Sequence, residues 1–168
     1  SELARAVAER TASSREVDEV VRSRQSSIWV DDYRSLYAAI SSGSDLLTML
    51  STADFSMGSF DEGLRRYRDE WFRIDQLYRQ FTLACRTAES ASPLEALRTE
   101  VEKSYTNTFL FNVGNTWQEQ VNGIEHWRSA LLRSQTSFFV DHVKPIIADG
   151  RRKAVVIISD ALRYEVAE

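Results

Sequence analysis

The chain has 168 residues, of which 43% are hydrophobic and 27% charged, and its formal net charge is -4. A chain of this length can bury a substantial core, whereas the negative charge argues against a surface dominated by nucleic-acid binding, although arginines could cluster locally. A single cysteine excludes an internal disulfide and a multi-thiolate metal site. Because no stretch has the ~18 apolar residues of a membrane span, we expect a cytoplasmic protein without membrane contact.

The first part of the chain is predicted to be helical. Residues 2–24 are polar and alanine-rich with a thin, interrupted apolar stripe, which indicates one broken helix or two short ones. Residues 29–50 carry apolar residues at steps of three and four and predict a helix packed lengthwise on another: Trp29, Tyr33, Leu36, Ile40, Leu47 and Leu50. Gly43 within this series indicates either a close neighbouring helix or a kink. Residues 52–59 read as a loop.

The most regular helix is predicted to begin at Ser59 or Asp61. Its apolar stripe alternates steps of three and four: Leu64, Tyr67, Trp71, Ile74, Tyr78, Phe81, Cys85 and Ala88. Acids and bases one turn apart predict a solvated flank with the pairs Asp61 and Arg65, Glu62 and Arg66, Asp69 and Arg73, and Asp75 and Arg79. Asp75 lies beside the stripe, so it could instead hold a buried hydrogen-bond network.

A further helix is predicted to begin at Pro93, with Ser92 as its cap, and to end within residues 112–115. Its inward-facing residues are Leu94, Leu97, Val101, Tyr105 and Phe109. Residues 117–121 indicate a turn or short helix. Residues 124–144 predict another helix, which should stop before Pro145 because proline disfavours helical backbone in the residue preceding it.

The last segment predicts a β-strand. Asp149 and Gly150 indicate a turn, and residues 155–158 are four consecutive β-branched residues, typical of a strand covered on both faces. We therefore expect a mainly α fold, a multi-helix bundle with one short C-terminal strand. Asp160 would lie at the carboxyl end of that strand, where α/β folds bind ligands and metals. Aspartate is also a preferred helix cap, so the residues alone leave both roles open.

Few other residues indicate chemistry. His126 and His142 lie sixteen residues apart outside any metal-binding pattern and are interpreted as surface or boundary residues. Cys85 lies on an apolar stripe and is interpreted as a small hydrophobic residue. The arginines at positions 65, 66 and 68 have acidic neighbours, which favours a solvated flank over a phosphate site.

The strand and the residues after it resemble a known family. Residues 156–165, with the sequence VIISDALRYE, are similar to the opening motif of the PglZ domain, a branch of the alkaline phosphatase superfamily found in phage-exclusion (BREX and Pgl) systems. Residues 67–81 and 135–145, together with Tyr105 and Trp117, resemble the helical region preceding that domain in type A PglZ proteins. The resemblance covers residues 28–168.

The resemblance implies a division into a helical linker domain, residues 1–146, and the start of a truncated phosphatase domain, residues 147–168. In the superfamily an aspartate ending the first strand ligates one of two divalent metals, usually zinc, and Asp160 is the corresponding position. The nucleophile and the other ligands would lie beyond Glu168, so the fragment should be inactive while its parent would be a metal-dependent phosphatase or nuclease.

The resemblance also implies other defence-system proteins as partners, including a DNA methyltransferase and an ATPase. A second hypothesis is a non-enzymatic helical interaction module whose terminal strand is a docking arm. In either case residues 154–159 need partners for their strand edges, which predicts self-association through them or packing over the helices. Whether the arginines contact nucleic acid stays open.

Overall fold

Two helices packed lengthwise, α3 (Val30–Thr52) and α5 (Phe72–Thr87), form the centre of the molecule. The computed structural model describes residues 1–24, 26, 30–88, 92–148 and 150–168, so the predictions for Trp29 and Asp149 lie outside the described residues. The mainly helical fold is confirmed. Within these ranges, none of the helices combines the length and the apolar character needed to cross a bilayer.

The amino-terminal region forms two short helices, α1 (Glu2–Ala8) and α2 (Ser14–Arg24). The chain leaves α1 through Arg10, whose positive φ of 57° turns the backbone away from the helix axis. The next helix begins with a reciprocal cap, in which the Ser13 amide donates to the Glu16 carboxylate at 2.8 Å and the Glu16 amide donates to Ser13 Oγ at 3.3 Å. Of the two alternatives for this segment, the structure therefore has two helices.

Gly43 marks a close helix approach. The α3 helix continues through this residue, and a Cβ atom placed there would lie 3.1 Å from Phe81 of α5 and 3.2 Å from Leu97. Leu97 belongs to α6 (Glu95–Ser104), which also packs on α3. The missing side chain thus lets three helices meet around a core whose largest fully buried members include Trp71, Ile40 and Phe109.

Two long helices each contain a π-helical segment. The first runs through α4 (Phe60–Arg66), the π segment Tyr67–Trp71 and α5. Its first helical residue is Phe60, within the predicted range, and Ser59 caps it, since the Ser59 side chain accepts from the Glu62 amide. The second runs through α6, the π segment Tyr105–Leu110 and α7 (Phe111–Asn122).

The prediction that the second long helix ends within residues 112–115 is wrong. Side chains of α7 bond to the loop before α4: Thr116 Oγ1 donates to the Phe55 carbonyl at 3.3 Å and Gln120 Nε2 to the Met57 carbonyl at 3.4 Å. These tertiary contacts stabilise the helix beyond the asparagines. The predicted inward-facing side chains of α6 and its π segment are confirmed, since Leu94, Leu97, Val101, Tyr105 and Phe109 are all buried.

The helix predicted over residues 124–144 is also wrong. Residues 124–134 form turns, followed by a 3-10 turn at Gln135–Ser137 and a π segment at Phe139–Val143. The Ala130 amide, which a helix would direct to the carbonyl four residues back, lies 3.3 Å from the Asp61 carboxylate and donates to it. Pro145 does not end the helical structure, because it occupies the first turn of α8 (Lys144–Ile147).

The C-terminal strand is not formed in the part of the chain that the structure describes. Residues 152–159 have no regular secondary structure, and the short helix α9 (Tyr164–Ala167) follows. Val155, Ile157 and Ile158 are between 87% and 89% exposed, so this segment does not lie over the helices either. A strand needs a hydrogen-bonded neighbour, and the helical bundle offers no sheet edge to it.

We predict that Gly43→Val lowers the free energy of unfolding by about 1–3 kcal/mol, because the new side chain must displace Phe81 and Leu97 from a packed core. The matched control is Gly114→Ala in α7, where a Cβ meets nothing within 4 Å; it should raise stability by about 0.5–1 kcal/mol through helix propensity. Urea denaturation followed by circular dichroism measures both values. Equal effects of the two substitutions would contradict the close packing of α3.

Candidate functional site

A half-buried carboxylate lies between the two long helices. Asp75 of α5 accepts a hydrogen bond from Tyr67 Oη at 2.6 Å through one oxygen and from Tyr105 Oη at 2.5 Å through the other. Tyr105 is buried, and its ring stacks on Tyr78 with centroids 3.8 Å apart and planes 2° from parallel. Asp75 therefore forms the hydrogen-bond network that the sequence left as one of two alternatives, and not an ion pair with Arg79.

The π segment places Tyr67 over Asp75. In a regular α-helix, residues seven apart return to the same face after about two turns of 3.6 residues. A π turn holds roughly one more residue, because its hydrogen bonds span five positions instead of four. Tyr67 begins the π segment Tyr67–Trp71 and meets Asp75 eight residues later. In a regular α-helix, the two side chains would be separated by about 80° around the axis, and the π segment reduces this offset.

The network keeps both tyrosines protonated. Burial raises the pKa of the Tyr67 and Tyr105 hydroxyls well above the ordinary value, and the hydrogen bonds to Asp75 raise it further. The negative charge of Glu165 adds to the rise in the pKa of Tyr67. These hydroxyls therefore remain hydrogen-bond donors at alkaline pH, where an ordinary tyrosine ionises, and the cluster connects the two long helices with the C-terminal turn.

The C-terminal turn docks directly beside this network. Arg79 Nη2 donates to the Glu165 carbonyl at 2.7 Å, and Gln76 Nε2 donates to the same oxygen at 3.5 Å. The Tyr164 ring lies edge-on to Phe72 at 5.4 Å and 6.4 Å from the Tyr67 ring. Glu165 is 3% exposed although it is charged. One face of α5 thus holds the segment that follows Asp160.

Asp160 itself points to solvent at a tight turn. It is exposed, and the next residue, Ala161, has a φ of 54°, a left-handed conformation that disfavours side chains other than glycine. The helix that follows begins only at Tyr164 with Arg163 in the cap position, so Asp160 is not the cap of that helix. Among the described residues, no group of three or more histidine, cysteine or acidic side chains could hold a metal ion.

The other predicted side chains have ordinary surroundings. Of the four predicted acid–base pairs, Glu62 and Arg66 meet at 3.1 Å. Asp61 instead accepts from Ser129 and the Ala130 amide, and Asp69 pairs with Arg68. Burial raises the pKa of the half-buried Cys85 thiol, which disfavours the reactive thiolate.

Two features of this site could not be predicted from the sequence patterns. Tyr67 and Tyr105 were placed on inward stripes, but nothing in the spacing indicates that both hydroxyls reach one carboxylate. Docking of Glu165 on Arg79 joins residues 86 positions apart and has no local signal. An acidic residue flanked by aromatic stripe positions, as Asp75 is, was the only available signal.

The fold and the site together define a helical module that carries an exposed carboxylate on a docked terminal turn. In an alignment of 159 positions that covers 89% of its length, the chain is 31% identical to the alkaline phosphatase-like protein PglZ of Bacillus cereus strain H3081.97. In an alignment of 156 positions that covers 86% of its length, it is 33% identical to the alkaline phosphatase-like protein BrxZ of Escherichia coli O9:H4 strain HS.

The chain is thus a relative of the PglZ family of alkaline phosphatase-like proteins, as its terminal motif indicated. It spans 18% of the length of each of these two relatives. No family model matches the chain. No solved structure matches it either.

We predict that stability falls at alkaline pH. The unfolded tyrosines ionise near pH 10, whereas the higher pKa of Tyr67 and Tyr105 in the fold keeps their protons bound. Their contribution is complete below about pH 10 and is lost as the pH rises toward the folded pKa, so the free energy of unfolding decreases over this range. Tyr105→Phe should make the decrease shallower, whereas Tyr33→Phe, at a half-exposed ring, should not. Urea denaturation at pH 9, 10 and 11 measures the slope.

We predict that Arg79→Gln releases the C-terminal turn, because the shorter amide cannot replace the 2.7 Å bond to the Glu165 carbonyl. A hydrogen bond from a charged group contributes about 1.5–3 kcal/mol, so amide hydrogen exchange at Ala167 and Glu168 should accelerate at least about tenfold. Arg86→Gln, on the same helix, is the control and should leave exchange unchanged. Unaltered exchange in both variants would show that Arg79 does not hold the turn.

Proposed function

We propose that this chain is the helical region and the opening segment of an alkaline phosphatase-like catalytic domain in a bacterial phage-defence protein of the BREX type. Residues 1–146 would form the helical domain and residues 147–168 the start of the catalytic domain. The observation that carries the proposal is the docked turn: the segment that resembles the family's opening motif is held on α5 by Arg79, and Asp160 is exposed near its start.

In this proposal the helical domain is a platform for Asp160. The carboxylate is five residues before Glu165, whose carbonyl is bonded to Arg79 and Gln76. The left-handed turn at Ala161 directs the chain from the exposed Asp160 back to the helices. Because a catalytic ligand must be held close to its productive position, a platform of packed helices suits this role better than a free loop.

The described residues do not by themselves make a metal site. Asp160 offers one carboxylate, whereas a catalytic zinc needs three protein ligands. We propose that Asp160 binds zinc or another divalent metal only together with ligands from the rest of a longer protein. The 168-residue chain alone would then have no phosphatase or nuclease activity.

The exposed apolar segment at residues 154–159 supports the proposal that another part of a longer protein covers it. Val155, Ile157 and Ile158 each keep more than four-fifths of their surface exposed, and burying such side chains contributes about 1.5–3 kcal/mol each. We propose that the rest of the catalytic domain covers them as a sheet. Copies of this chain would pair through the same segment in its absence. Partners of the whole protein would be the other defence components, a DNA methyltransferase and an ATPase, in the cytoplasm.

The same exposed segment favours a second candidate function. A helical interaction module could use Val155, Ile157 and Ile158 as a docking arm that adds a strand to the sheet of a partner protein. Such a module needs no metal, and its binding would depend on residues 154–159 instead of Asp160. The two functions therefore predict different effects of a change at Asp160.

We predict that Asp160→Asn, in a protein carrying this chain together with the remaining length of its relatives, lowers metal content and zinc-dependent hydrolysis of 4-nitrophenyl phosphate esters. Loss of residues that merely orient a ligand costs 10–100-fold, so loss of the ligand itself should cost at least about 100-fold. Asparagine is nearly isosteric, so helicity should persist. Asp69→Asn, at an exposed ion pair, is the matched control. Full turnover of the Asp160 variant would refute the metal role and favour the docking module.

A further inference from the structure

A second site lies where α4 and α7 meet the turns of residues 126–136. The two helices and the turns line an open groove with a volume of 630 Å³, which is called the aromatic groove below. Its lining includes three aromatic and two cationic side chains: Phe60, Trp117, Trp127, Arg128 and Arg133. The groove shares no lining residue with the docked turn that carries Asp160.

The aromatic wall is held rigidly. Phe60 lies 4.9 Å from Trp117 and 5.5 Å from Trp127, between ring centroids, and it meets Trp127 nearly edge-on at 78°. Behind Trp127 the backbone is fixed, because Asp61 accepts from the Ser129 hydroxyl at 2.5 Å and from the Ala130 amide. Trp127 is nevertheless 71% exposed. A large apolar ring is therefore presented to solvent by a supported backbone.

Cations lie beside this ring. Arg128 follows Trp127 directly and is exposed, and within the described ranges its guanidinium has neither a hydrogen bond nor an ion pair. Arg133 has a side chain that is 78% exposed and a long contact of 3.4 Å to Asp141. The nearby Asp61, which does not line the groove, already accepts hydrogen bonds from Ser129 and the Ala130 amide. An anionic ligand can thus meet two arginines next to a stacking surface.

We propose that the aromatic groove binds a short stretch of single-stranded nucleic acid, with a base stacked on Trp127 and backbone phosphates at Arg128 and Arg133. Stacking platforms beside basic side chains are the recurring means of binding single strands. A small-molecule pocket would enclose most of its ligand, whereas Trp127 lies open. Because the formal net charge of the chain is -4, such binding must come from this local arrangement and not from the overall charge.

The test is binding of a fluorescein-labelled 12-nucleotide single-stranded DNA to the 168-residue chain, followed by fluorescence anisotropy at several salt concentrations. Trp127→Ala should weaken binding by about five- to a hundredfold, whereas Trp127→Phe, which keeps a ring, should retain most of it. Arg128→Gln should weaken binding and reduce the slope of log affinity against log salt by about 0.7. Arg15→Gln removes one positive charge at an exposed ion pair in α2 and is the matched control. It should change the affinity and the salt slope much less than Arg128→Gln does.

Each other outcome overturns the proposal. If the unchanged chain does not bind the oligonucleotide, single-stranded nucleic acid is excluded as the ligand. If a 12-base-pair duplex binds equally well, base stacking on Trp127 is excluded as the mode of binding. Equal losses in Arg15→Gln and Arg128→Gln would show diffuse electrostatic attraction only. Because Trp127 is exposed, Trp127→Ala should keep its circular dichroism spectrum, so unchanged binding by that variant excludes the groove. None of these results depends on Asp160 or on bound metal.

Discussion

The hydrogen-bonded carboxylate of Asp75 is the interaction on which the arrangement of the long helices depends. An acid placed between aromatic residues away from full solvent is costly unless both of its oxygens are satisfied. Tyr67 and Tyr105 supply one hydroxyl each, and they come from the two different helical rods. These hydrogen bonds therefore fix the rotation of each long helix about its own axis relative to the other. Hydrophobic packing alone, which is not directional, constrains that rotation less tightly.

The long helix made of α4, its π segment and α5 contacts several separate parts of the molecule. Its central stretch packs on α3 around Gly43, its Asp75 joins α6, and its Arg79 holds the terminal turn. Phe60, at its start, belongs to the aromatic groove. Residues 60 and 79 lie roughly 28 Å apart along such a rod at about 1.5 Å per residue. The two proposed binding regions are thus built on opposite ends of one rigid element.

The relation to PglZ and BrxZ gives this architecture a functional context. The matched residues make up most of this chain but only 18% of each relative. Among the described residues, Asp160 is exposed, and Val155, Ile157 and Ile158 just before it are exposed apolar side chains. Within the described residues, the contacts from α5 hold Glu165, five residues after the exposed Asp160.

The sequence by itself determined the helical class, a helix start near residue 60, the inward stripe of α6 and the relation to the family, because each depends on residues close together in the chain or on a contiguous motif. Tertiary structure decided the rest. It showed that Gly43 marks a helix contact, and it replaced the helix predicted over residues 124–144 by turns bonded to Asp61. The π segments, the partners of Asp75 and the docking of Glu165 likewise arise from contacts between distant residues, which periodicity cannot encode.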